Sequence, residues 1–260
     1  MAYKRSLRLL TCWFVAVLFL IGAAATAAAQ RQQSDPSAIA WATKAMSALT
    51  GGIPINNATL IGTVVQGDNQ DQGSVPITMQ ATSVSASETD ITTPKGIRSF
   101  IRSLDSNGHP SGMWVDVNQQ QHPISLHNCW TDAVWFFPAL SQLSAYNDPN
   151  LVFVDLGQEQ HSGTSVEHIQ IYRSLQGDPN KAALVAKLST VNYYLDVNTA
   201  VPVAITFADH PNDDLLTNLP IRVEFSNFQL VGSRLIPYQI TRFAHGTPQF
   251  QIAISNANLN

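Results

Sequence analysis

Apolar residues recur at every second position through most of the chain, most clearly in its last third. Ile221, Val223 and Phe225 alternate with Arg222, Glu224 and Ser226, and Phe250, Ile252 and Ile254 oppose Gln249, Gln251 and Ser255. A period of two puts each set on its own side of a strand, so these segments predict sheet with one dry and one wet face. The same period runs through residues 60–65, 75–83, 97–104, 113–117 and 123–127, between Gly, Asn, Asp and Pro clusters such as QGDNQDQGS and DSNGHPSG. SVEHIQIYRSL is a more mixed strand. YYLDVNTAVPVAITF, residues 193–207, predicts two strands around a polar turn at 196–199, with Val201, Val203, Ile205 and Phe207 on one side.

Three segments switch to helical spacing. Asp35 suits a cap and Pro36 a first turn, and Ile39, Ala42, Met46 and Leu49 form one face before Gly51 and Gly52 stop the helix. TDAVWFFPALSQLSAY predicts helix that Pro138 either kinks or restarts, with Trp135, Phe136, Phe137, Leu140 and Leu143 as bulky cover. In GDPNKAALVAKL, Asp178 caps, Pro179 takes the first turn, and Leu184 and Leu188 pair one turn apart.

About eleven strands joined by short turns favour an antiparallel meander over alternating strand-helix units. A long sheet that is apolar on one side must close, stack or wrap around other elements. The expected fold is therefore mainly β with few helices: a strongly curved, incomplete barrel whose concave face the helices cover. Three small helices do not fill so large a concavity, and an apolar cleft is expected between them and the sheet.

The N-terminus changes the compartment. MAYKRSLR is basic, LLTCWFVAVLFLIG is apolar and AAATAAA supplies small residues before Gln30, the layout of a secretory signal peptide. Residues 1–29 are read as that peptide and 30–260 as a single exported domain, with an uncleaved N-terminal anchor as the alternative. Cys12 sits too early in the apolar run for a lipid-modified cysteine. Cleavage would remove Lys4, Arg5 and Arg8 and no acid, leaving 11 basic against 18 acidic residues, a charge of −7. That balance repels nucleic acid and anionic lipid headgroups. Cys129 would be the one cysteine left, which excludes an internal disulfide and fits a buried thiol.

Against this background YLDVNTAVPV matters, because Tyr194, Leu195, Asp196, Thr199, Pro202 and Val203 match an aromatic-Leu-Asp-x-x-Thr-x-x-Pro-Val hairpin. With the leader, the helix ending in Gly-Gly and the C-terminal IPYQITRF, the chain resembles the LolA-like and RseB-like envelope proteins over nearly all of its exported part. The resemblance implies a half-barrel carrying lipid or acyl chains, or a sensor that binds lipid or protein; it assigns no arginine to the ligand.

Other chemistry is weaker. His122, His127 and Cys129 have metal-binding side chains, but strand alternation separates His122 from the other two. Ser165, Glu167, His161 and His168 lack a nucleophile elbow. DNQDQG, from Asp68 to Gly73, lacks the distal Glu of a calcium loop, and Asp213 and Asp214 suit a turn. Trp130, Trp135, Phe136 and Phe137 read as core packing that a cleft would share. The expected protein is a monomer of the periplasm, not an enzyme and without a cofactor, binding a lipid or acyl chain, possible partners including an envelope protein. Its candidate lining residues are Trp41, Met46, Trp135, Phe136, Phe137, Leu140, Val203, Ile205, Val223 and Phe225. The alternative is an interaction or sensor protein with a filled core.

Overall fold

A computed structural model describes residues 33–67 and 73–260. Helix α1 (Pro36–Thr50) takes Pro36 in its first turn and ends at Gly51, whose φ of 59° suits glycine. Its buried stripe is Ala38, Ala42, Ala45 and Leu49. Small residues there bring the backbone close to the sheet, and bulky Ile39, Trp41 and Met46 fall to the half-buried flanks. Gly51 is fixed twice over, because a Cβ at this position would lie 2.5 Å from the Ser233 carbonyl oxygen.

Asp35 does not cap α1 as its position predicts. Its carboxylate accepts from the Asp155 N–H at 3.0 Å, its own N–H donates to the Phe153 carbonyl at 2.8 Å, and the Ser34 hydroxyl accepts from the Phe153 N–H at 3.0 Å. Residues 153 and 155 belong to an edge strand whose outward N–H groups otherwise lack partners among the described residues, and that demand outcompetes the helix end.

Thirteen strands follow, every neighbouring pair antiparallel: β1 (Ala58–Gln66), β2 (Val75–Ser83), β3 (Ala86–Thr93), β4 (Gly96–Leu104), β5 (Pro110–Val115), β6 (Gln121–Pro123), β7 (Leu151–His161), β8 (Thr164–Arg173), β9 (Val191–Asp196), β10 (Pro202–Asp209), β11 (Leu219–Val231), β12 (Arg234–Ala244) and β13 (Thr247–Leu259). Their order is β6-β5-β4-β3-β2-β1-β13-β12-β11-β10-β9-β8-β7. Two meanders thus meet at a β1–β13 seam, where the register shifts between Ile61 and Gly62. The seam requires glycine: a Cβ on residue 62 would lie 2.1 Å from the Ala253 carbonyl oxygen.

β3 and β7 are additional to the eleven expected strands. The strand expected at 113–117 runs Pro110–Val115, and the one at 123–127 is the short β6, followed by a 3-10 turn at Leu126–Trp130. The helix expected over 131–146 is replaced by 3-10 turns at Pro138–Leu140 and Gln142–Ala145. Short polar side chains take the backbone groups a helix needs: Asp132 accepts from the Val134 and Gln142 N–H groups, and the Ser141 hydroxyl donates to the Pro138 carbonyl. Helix α2 (Pro179–Ser189) forms as expected, with the Asp178 carboxylate accepting from the Asn180 N–H.

The hairpin between β9 and β10 follows its pattern. Asp196 Oδ1 accepts from the Asn198 and Thr199 N–H groups at 2.9 and 2.8 Å and from the Thr199 hydroxyl at 3.1 Å. After the turn the pairing shifts between Pro202 and Ala204. Strict alternation is lost there: Val203 is half-buried while Ala204 is fully buried.

The sheet is strongly curved and open. β4 and β10 are seven strand steps apart, about 33 Å in a flat sheet, yet Phe100 of β4 and Phe207 of β10 line one cavity. Among the described residues β6 and β7 are its two margins, each paired with a strand on one side only. The concave face carries Leu60, Met79, Ile91, Tyr193, Leu195, Val223 and Ile240, all close to zero exposure, and Phe136, Phe137 and Leu143 from the 3-10 turn segment fill part of that space completely.

Candidate ligand-binding cleft

The segment from Leu126 to Ala145 crosses the concavity as a strap whose first half is tied to both sides of the sheet. On one side the Ser87 hydroxyl of β3 donates to the Ala133 carbonyl, and Arg102 of β4 donates through Nη2 to the carbonyls of Cys129 at 2.7 Å and Thr131 at 3.2 Å. On the other, the Asn128 amide pairs reciprocally with the backbone of His210, both bonds being 2.8 Å, and the His127 ring nitrogen meets the Pro211 carbonyl at 2.9 Å. In the middle, Asp132 is 1% exposed and accepts from the Val134 N–H at 2.9 Å, the Gln142 N–H at 3.0 Å and the Tyr193 hydroxyl of β9 at 2.6 Å. Burial pushes the Asp132 carboxyl above the usual carboxylate range, against these three donors and Arg102. Burial, with Asp132 beside it, pushes the Tyr193 phenol well above its usual value.

Between strap and sheet lies an open cleft of about 380 Å³, within the size range of small-ligand sites. Its wall is mostly apolar: Ile77, Ile91, Phe100, Phe207, Phe250 and Ile252 from the sheet, and Ile124 and Trp135 from the strap side. Set into that wall are Arg102, Asp209 and Arg242. Arg242 donates through Nη2 to Asp209 Oδ2 at 2.7 Å, and its guanidinium lies 5.7 Å from the Trp135 ring centre and 6.0 Å from that of Phe207. Burial lowers the pKa of both arginines, while Asp209 draws that of Arg242 back up.

The overall fold is shared with solved structures. A domain described as an outer-membrane lipoprotein-sorting protein, from Vibrio parahaemolyticus, superimposes with a TM-score of 0.54 at 12% identity, covering 85% of this chain and 92% of that one. The fold is LolA-like. A DUF1329 family protein from Desulfovibrio piger matches with a TM-score of 0.53 at 9% identity, covering 88% of this chain and 94% of that one. Neither the family models nor the curated proteins give a match to the sequence.

Within this LolA-like half-barrel, the ten residues expected to line a ligand fall in five places. Trp135 lines the cleft beside Arg242. Phe136, Phe137, Ile205, Val223 and Phe225 sit in the packed core next to it, each at 4% exposure or less. Met46 and Leu140 line a separate cavity at the C-terminal end of α1, together with Thr50 and Tyr146. Trp41 is half-buried on the outer flank of α1 under Lys44, whose Nζ lies 4.3 Å from the ring centre, and Val203 is half-buried at the β10 register shift. Pattern reading passed over Arg102, Asp209 and Arg242, although each lies on the inward phase of its strand: Arg102 with Phe100, Asp209 with Ile205 and Phe207, Arg242 with Ile240.

The remaining candidates are engaged elsewhere. His122 stacks on Trp114 at 4.0 Å, His127 holds Pro211, and Cys129 is buried with its thiol toward the Ile124 carbonyl at 3.7 Å. Among the described residues no three His, Cys, Asp or Glu side chains gather in a metal-holding group. His168 contacts Glu159 through Nδ1 at 3.0 Å and Asn192 through Nε2 at 3.1 Å, His161 stacks on Tyr194, and the Ser165 hydroxyl accepts from Gln160. Asp214 accepts from the Leu216 and Thr217 N–H groups as a turn residue. Most of the DNQDQG stretch and the whole leader lie outside the described residues. No helix among the described residues is long and apolar enough to cross a membrane.

Proposed function

We propose that the protein is exported to the cell envelope through residues 1–29 and that residues 30–260 act as one monomeric domain binding the apolar part of a lipid or other amphiphile, without catalysis. The observation that carries this function is the open, apolar-walled cleft left between the strap and the curved sheet. The match to a domain described as lipoprotein-sorting supports it. Apolar burial supplies the affinity: an acyl stretch of eight methylenes contributes roughly 6 kcal/mol at about 0.8 kcal/mol each, the scale of a dissociation constant of tens of micromolar. The cleft also counts against the alternative of a filled core acting only through its surface.

The test is native mass spectrometry and lipid extraction of protein purified from the envelope, with fluorescent fatty acid titration of the delipidated protein. A co-purifying amphiphile and saturable fluorescence are expected. Their joint absence refutes the proposal.

A further inference from the structure

We propose that the cleft selects amphiphiles with an anionic head, whose carboxylate or phosphate oxygens are received by Arg242 and Arg102 while the tail lies along the apolar wall. This rests on the ligand-binding function proposed above and names the ligand class.

Each guanidinium carries five N–H donors. Arg242 makes one hydrogen bond, from Nη2 to Asp209, and Arg102 makes two, both from Nη2, to the strap carbonyls. Among the described residues the Nε and Nη1 donors of both side chains have no hydrogen-bond partner, although both side chains border the cleft. Neither arginine has an unpaired nitrogen shut away from solvent, so oxygens of a ligand in the cleft can reach these donors.

The charge around them leaves room for an anion. Asp209 offsets one arginine. Asp132 is held toward its neutral form by burial, and its oxygens are already taken by Val134, Gln142 and Tyr193. His210 is occupied through Nδ1 by the Thr217 carbonyl at 3.0 Å. One positive charge therefore stays uncompensated in the wall of a protein whose whole chain carries −4. Trp135 and Phe207 flank the Arg242 guanidinium, so it stands where the apolar wall begins, at the place where an amphiphile's head joins its tail.

The experiment compares dodecanoate, dodecyl phosphate and dodecanol, all below micelle-forming concentrations, by calorimetry and probe displacement on the full exported chain. Both anions are expected to bind at least tenfold more tightly than dodecanol. Arg242→Gln is expected to bring their affinities down to that of dodecanol. Asp209→Asn removes the internal carboxylate that competes for Arg242, and is expected to raise dodecanoate affinity at least threefold relative to dodecanol. A merely structural ion pair predicts unchanged or weaker binding in that variant, so it decides the matter even if Arg242→Gln does not fold. Equal affinities for the three ligands overturn head selection and leave the lipid cleft standing. Absence of binding by all three overturns both. Displacement of dodecyl phosphate by millimolar inorganic phosphate alone marks a small-anion site and also overturns the proposal.

Discussion

Removing the Tyr193 hydroxyl probes the tie that holds the middle of the strap to the sheet. Tyr193→Phe keeps the ring in its fully buried place and deletes one donor to Asp132, a 2.6 Å bond. Hydrogen bonds to charged groups are worth about 1.5–3 kcal/mol, against about 1 kcal/mol for neutral pairs. Burial holds the Asp132 carboxyl above its usual range, so the folded protein keeps that proton more tightly than the unfolded chain. Stability from this group is therefore greatest below the unfolded value of about 3.9 and falls as pH rises through the raised folded value. The phenol hydrogen bond is the foremost of the forces holding that folded value down, and its loss moves the value further up. The deficit of Tyr193→Phe should thus grow with pH, from about 1 kcal/mol where the carboxyl is protonated to about 2 kcal/mol where it is ionised. In a domain of this size that corresponds to a lowering of Tm by roughly 2–4 °C with the carboxyl protonated and 4–8 °C with it ionised. Thermal melts followed by circular dichroism across a pH series measure it, and combining the variant with Asp132→Asn should abolish the pH dependence of the deficit. A deficit that is constant with pH, or no deficit at all, refutes the reasoning.

Three further perturbations follow from the same contacts. Thr89→Trp places an indole in the cleft from β3, where Thr89 is 8% exposed, and is expected to weaken acyl-chain binding at least tenfold in the displacement assay while the circular dichroism spectrum is retained. Gly51→Ala combines a left-handed φ with a 2.5 Å approach to the Ser233 carbonyl and should cost about 2 kcal/mol or more in chemical denaturation. Asp35→Ala together with Ser34→Ala frees the Phe153 and Asp155 N–H groups, and hydrogen exchange should accelerate at those two amides while the β11 amides stay protected.

How far the architecture could be read depended on what each inner face carries. Where it carries Ile, Val and Phe, as on β10, β11 and β13, alternation located the strand and its inward phase. β3 presents Ser87 and Thr89 inward before Ile91, so a search for apolar alternation passed over it, and β7 turns polar beyond Val154 as it reaches the open margin. On β4 the inward phase carries Phe100 and Arg102, which line the cleft, while Ile97 on the other phase is 46% exposed. Assigning charge to solvent therefore hid the two arginines, although their phase with Phe100 and Ile240 was available. The strap was misjudged as helix because Trp135, Phe136 and Leu140 have helical spacing, whereas Pro138 and the Asp132 carboxylate dictate turns. The bulky residues of that segment went mainly to the core, and the cleft is walled more by the sheet.

The β1–β13 seam carries a consequence for how the molecule comes into being. Each meander can pair locally from nearest neighbours, but the join between them unites β1 with β13, so it waits until β13 has been made. Until then β1 and β12 each present an unsatisfied backbone ladder to whatever is nearby, including another copy. The C-terminal strand thus works as a clasp. A chain shortened by those thirteen residues would lose the bend that brings β4 opposite β10, and would be left as two ribbons prone to stick.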